Sequence, residues 1–179
     1  MRALWIDEHT PLWQAGWLVW HAAAILLLAL FVVLSLRFRE RAPVLSRLAL
    51  VLAAAGLAAD LAAETLLLML QPDVAFGVLG VGRAAALLFL TYERVAVLLT
   101  GYLGNGLYTI AGIMLTWAGR KALPRWLLRL SIPLWGAGLF LSFSSTSPGS
   151  GPGVATAILM PLFVVWAFGV GRWLARGES

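Results

Sequence analysis

From Leu12 to Leu36 the chain contains no Asp, Glu, Lys or Arg. A helix needs roughly 20 apolar residues to cross the hydrocarbon core of a bilayer, and this stretch is longer. Four further stretches of span length follow, at 44–70, 84–119, 126–143 and 154–170. Polar punctuation separates them. Arg37, Arg39, Glu40 and Arg41 close the first, and Gln71-Pro72-Asp73 is expected to stop the second. Arg120 and Lys121 close the third, a Ser/Pro/Gly run from Ser144 to Gly153 the fourth, and Arg172 and Arg176 the fifth. The expected fold is all-α: a polytopic transmembrane helical bundle of about five spans, a single domain over 1–179. Composition agrees. Hydrophobic residues make up 61% and charged residues 12%, against about 25% charged in soluble domains. So few charges cannot cover a water-facing surface, so the lipid bilayer is the expected partner.

The basic residues set an expected orientation. Arg37, Arg39, Arg41 and Arg47 share the first loop, Arg120, Lys121, Arg125 and Arg129 the loop after Gly119, and Arg172 and Arg176 the tail. Cytoplasmic loops are enriched in Lys and Arg, so all three are expected inside. The N-terminus is then outside and the C-terminus inside. This alternation closes only if Val74–Gly119 crosses once. Either 84–119 is one long helix kinked near Gly101–Gly106, or Val74–Val97 is a partly embedded outer helix before a normal span. Tryptophans fit the same orientation, because their rings favour the membrane interface. Trp5 and Trp13 fall at the outer interface, and Trp117, Trp126 and Trp173 at the inner one. No signal-peptide cleavage site is evident, so the first span is expected to be retained. The expected location is multi-pass in a cell membrane, a bacterial inner membrane.

Several function classes are disfavoured. The net charge of +5 sits at span ends, the pattern of topology signals and anionic headgroup contacts, and no nucleic-acid partner is expected. The absence of cysteine removes disulfides, thiolate metal sites and iron–sulfur clusters. Haem held by two histidines would need both His9 and His21, and His9 lies outside the spans. The glycines of 77–82 have reversed spacing for a phosphate loop and no strand before them. The serines around 142–147 sit in a Pro/Gly-rich context that would not preorganise a nucleophile. The residues name no cofactor, and no internal repeat marks an inverted-repeat transporter.

Charge inside a span is costly, so it marks functional candidates. Asp60 and Glu64 are one helical turn apart and share a face of the second span. Ala55, Gly56, Ala59 and Ala63 on that helix allow close helix approach, so this face is expected to look into the bundle. His21 lies on the first span. Tyr92, Glu93 and Arg94 come from the charged part of the third, followed by Tyr102, Asn105 and Tyr108. In the expected topology His21, Asp60, Glu64 and Glu93 share the outer half of the membrane. They outline an outward-facing polar pocket between helices, open to a small ligand, an ion or a partner subunit. Two carboxylates and an imidazole could bind a divalent ion or relay protons. The structural alternative is that Arg83 and Arg94 neutralise the acids and hold three helices together.

The segment Tyr108–Leu141 contains a polar-dotted span, a basic turn, and Leu123-Pro124-Arg125-Trp126-Leu127 opening a glycine-containing span. It resembles bacterial families of small polytopic membrane proteins of unknown function, over about a fifth of the chain. That resemblance implies the fold and no activity. Three readings of function stay open: a ligand-, ion- or partner-binding membrane protein, including a subunit of a larger complex; a membrane enzyme on a lipid or isoprenoid, with Glu64 or Glu93 as general acid/base; and a small proton- or cation-coupled transporter, which five spans would require to be a homo-oligomer.

Overall fold

The computed structural model describes residues 2–81, 83–147, 149 and 151–177. Gly82, the last residue of the glycine-rich run, lies outside them. The described backbone is helical between short turns: α1 (Arg2–Glu8), α2 (Thr10–Phe38), α3 (Pro43–Thr65), α4 (Gln71–Val81), α5 (Arg83–Val97), α6 (Asn105–Ala118), α7 (Arg125–Ser144) and α8 (Gly151–Ala175). No strand occurs among the described residues. Two π-helical turns, Leu66–Leu70 and Leu98–Gly104, join α3 to α4 and α5 to α6. Five continuous stretches are long and apolar enough to cross a membrane: Thr10–Phe38, Pro43–Gly77, Arg83–Ala118, Arg125–Ser144 and Gly151–Ala175. The chain therefore has the architecture of a multi-pass membrane protein. Its outer surface is the one lipid tolerates, with Ile132 75% and Phe168 72% exposed.

Prolines open several of these helices. Pro11 and Pro43 stand in the first turn of α2 and α3, and Pro124 precedes α7. At these positions the missing N–H costs nothing. Pro152 acts similarly, so α8 begins at Gly151, ahead of the expected start at 154.

The second span does not end at Gln71-Pro72-Asp73. In the π-helical turn the Gln71 N–H reaches back to the Leu66 carbonyl. The Leu67 carbonyl is thereby released, and Pro72 has no N–H to give to that of Leu68. Two side chains of α2 replace the lost donors. Trp13 Nε1 donates to Leu67 O at 2.7 Å, and Gln14 Nε2 to Leu68 O at 3.4 Å. A lone proline breaks a helix, whereas a proline whose orphaned carbonyls are covered from a neighbour is passed through.

The second and third stretches, of 35 and 36 residues, rise roughly 50 Å each at 1.5 Å per residue. That exceeds a hydrocarbon core of about 30 Å. The excess joins α1 in a small head. There Ile6, Ala75 and Phe89 form a separate core, and Glu93 is held by Arg2 at 3.0 Å and by Gln71 Nε2 at 3.2 Å.

The main core runs along the bundle, where rings insert into glycine notches. Gly112 faces the Trp135 ring, Gly119 the Phe38 ring, and Gly169 Trp126 and Leu127. Phe38 stacks on Trp173 at 6.0 Å between ring centroids, and Arg37 lies over the same Trp173 ring. Trp117 and Trp126 are exposed, as interface tryptophans should be, whereas Trp173 is buried by that stack.

A methyl group at Gly112 would overlap the rigid Trp135 ring, whose Nε1 is tied to Thr116 Oγ1 at 3.0 Å. Gly112→Ala is expected to destabilise the protein by about 1–3 kcal/mol, the usual cost of overpacking. Gly136→Ala, where nothing lies within 4 Å, is the matched control. Thermal unfolding of both variants in detergent checks this, and equal melting temperatures would refute the notch.

Candidate functional site

The inward face of α3 is a stripe of small residues interrupted by two acids: Ala49, Ala53, Gly56, Asp60, Ala63 and Glu64 are buried. Ala55 is exposed and Ala59 only half-buried, so the close-packing set differs in part from the expected one. The stripe lets α3 cross the third span at contact distance. A Cβ on Gly56 would lie 3.0 Å from the Gly104 carbonyl, and one on Gly104 3.2 Å from the Gly56 carbonyl. Gly101 and Gly106 lie against Ser145 and Ser142 of the fourth span. The glycine cluster at the π-helical turn is thus where three helices meet.

One turn from this crossing, α3 presents Asp60. Its carboxylate is 6% exposed, and Oδ1 has no hydrogen-bond partner. The side chains of Thr100 and Tyr108 lie beside the carboxylate, and the Tyr108 hydroxyl, like Oδ1, has no partner within hydrogen-bond geometry. Glu64, fully buried, is met by His21 of α2: Nδ1 lies 2.8 Å from Oε2. The same Nδ1 is 3.0 Å from the Trp17 carbonyl. The Trp17 carbonyl accepts the Nδ1–H bond, and Glu64 Oε2 lies beside it as a close charge neighbour. Neither Oε1 nor Oε2 of Glu64 has a hydrogen-bond partner.

Asp60 opens onto a cavity of about 470 Å³ between the helices. From α2 come Trp17, Trp20, Ala24, Leu27 and Phe31, and from α8 Thr156, Leu159, Met160, Phe163 and Val164. The third and fourth spans contribute Thr100, Asn105, Tyr108, Thr109, Trp135 and Ser145. α2 packs on α3 and α6, and α8 packs on α7. α2 and α8 meet at the Phe38–Trp173 stack and part toward the Asp60 level. Trp20 and Val164 line the cavity and are both exposed, so the cavity is open where they stand on α2 and α8.

The structure divides the expected site residues. His21, Asp60, Glu64 and Tyr108 come together. Asn105 joins the cavity wall, where its Nδ2 donates to Gly138 O at 2.7 Å and Ser142 Oγ at 2.8 Å and clamps the third span to the fourth. Glu93 belongs to the head. Arg94 donates to the Ser145 and Thr146 carbonyls, where it caps the C-terminal end of α7. Neither Arg94 nor Arg83 pairs with Asp60 or Glu64, so the neutralising ion pairs expected of them are not formed among the described residues. Tyr102 is exposed on the bundle surface, and Tyr92 is half-buried away from the cavity. No three His, Asp or Glu groups converge on a metal position among the described residues. Sequence reading missed Trp17, Trp20, Thr100 and Trp135. Trp13, Trp17 and Trp20 stand at i, i+4, i+7 on one helix face and touch edge to face in succession. That spacing next to His21 was the available signal.

Loss of the imidazole would leave Glu64 buried without a partner. His21→Ala is expected to cost about 1–2 kcal/mol, the upper range for interhelical polar contacts in bilayers. Glu64→Gln, which keeps a carbonyl acceptor for Nδ1–H, should cost less. Chemical or thermal unfolding in bilayer-like detergent orders the two, and the reverse order would refute the His21–Glu64 contact as the stabilising one.

The chain matches no family model, no curated protein and no solved structure.

Proposed function

We propose that this chain binds a small amphipathic molecule, drawn from the bilayer into the interhelical cavity. The observation that carries this is the open cavity with buried Asp60 on its wall, one carboxylate oxygen of which has no hydrogen-bond partner. Its volume of about 470 Å³ falls within the roughly 300–1,000 Å³ of ordinary ligand sites, which also pair a mainly apolar lining with a few polar groups. The basic ends of the spans support an orientation with the head and Asp60 toward the outside and the Phe38–Trp173 end toward the cytoplasm. Catalysis by Glu64 is the weaker reading, because neither Glu64 nor His21 lines the cavity. A general acid or base must reach the proton it moves.

Native mass spectrometry of protein released gently from its own membrane tests the proposal. The expected spectrum carries a stoichiometric adduct. Ala23→Trp, a substitution at a residue lining the mouth, should lower the occupied fraction about tenfold by filling the space the ligand needs. A bare 19.3 kDa species, or an adduct indifferent to Ala23→Trp, would count against the cavity as a ligand site.

A further inference from the structure

No basic side chain stands on the wall of the cavity beside Asp60 among the described residues, and that points to the ligand. α3 buries two carboxylates, and among the described residues the one basic side chain that reaches them is His21, whose Nδ1 bonds to the Trp17 carbonyl and lies 2.8 Å from Glu64 Oε2. No basic side chain among the described residues forms an ion pair with Asp60, and of those residues Asp60 is the one ionisable acid or base on the cavity wall apart from the Tyr108 phenol. An intramembrane carboxylate is expensive unless something covers it. Resting on the cavity reading above, we propose that the ligand is a lipophilic organic monocation, an alkyl or aryl ammonium, whose charged head meets Asp60.

Five observations support this class over the alternatives. An inorganic cation would need several hard ligands, and Asp60 stands alone as a carboxylate on the wall. An anion would face a carboxylate with no cation to receive it. The walls beside Asp60 are aromatic, with Trp17, Trp20, Phe31, Tyr108 and Trp135. Ring faces attract a diffuse organic cation and tolerate its alkyl groups. The unpartnered Tyr108 hydroxyl and Thr100 add acceptors for an N–H, though a quaternary head needs neither. Finally, exposed Trp20 of α2 and Val164 of α8 stand on the cavity wall within two membrane-length helices, where a cation with an apolar tail can approach from the membrane.

The test uses the full chain in nanodiscs of zwitterionic lipid, with empty nanodiscs subtracted. The probes share one alkyl chain: decyltrimethylammonium, decanol and decyl sulfate, each below its micelle concentration. Binding is read from tryptophan fluorescence. The wild-type protein is expected to bind the ammonium probe at least about tenfold more tightly than decanol. Asp60→Asn should bring the ammonium affinity down to that of decanol and leave decanol binding unchanged, which also shows that the variant is folded. Ala23→Trp should weaken both. Equal binding of ammonium and decanol, sensitive to Ala23→Trp and indifferent to Asp60→Asn, would overturn the cation and leave the cavity reading standing. Stronger binding of decyl sulfate would do the same. No saturable binding of any probe would overturn both.

Discussion

Backbone meets backbone where α3 crosses the third span. Gly56 and Gly104 approach so closely that each carbonyl lies within about 3 Å of where the other's Cβ would be. In a bilayer the hydrophobic effect does not press helices together, because lipid tails are as apolar as leucine. Close packing between small residues takes its place. Every feature of the cavity follows from this crossing. It brings Asp60, one turn along α3, to Thr100 and Tyr108. It sets the third span beside α7, where Gly101 and Gly106 meet Ser145 and Ser142 and where Asn105 bonds to Gly138. A larger side chain at either glycine would separate the helices and dissolve the wall that holds the carboxylate.

The same solvent governs the irregular backbone. Water is absent from the hydrocarbon core, so each freed carbonyl must find a donor within the protein. The Leu67 and Leu68 carbonyls find Trp13 and Gln14. The carbonyls at the end of α7 find Arg94. These contacts also tie elements together: the first pair fastens α2 to the second span, and Arg94 fastens α5 to the end of α7. Polar side chains in this bundle thus serve mainly as local substitutes for water, and most are consumed in that role.

Against that background the acids have distinct meanings. Glu93 is satisfied at the head by Arg2 and Gln71. Glu64 is met by His21. Asp60 shares its helix face with Glu64 but looks into open space lined by rings. One turn of helix therefore separates a carboxylate facing an imidazole from one facing a cavity, and the difference lies in what the neighbouring helices place opposite each.

Hydropathy alone determined that the chain is helical and spans a membrane, since only lipid accepts a surface this apolar. Spacing alone put Asp60 and Glu64 on one face of α3, and small residues along it pointed that face inward. The passage of the second span through Pro72 was not legible, because the donors that cover Leu67 and Leu68 lie more than 50 residues away, at 54 positions' separation. The separation of Glu93 and Arg94 from Asp60 was hidden for a similar reason. Overlong helices look like spans in sequence, and where they leave the bundle depends on the partners they pack against. The cavity itself belonged wholly to tertiary structure. α8 is apolar nearly all round and α2 offers only the tryptophans beside His21 as a signal of its inward face, so the space between them is decided by how rings and glycines fit together.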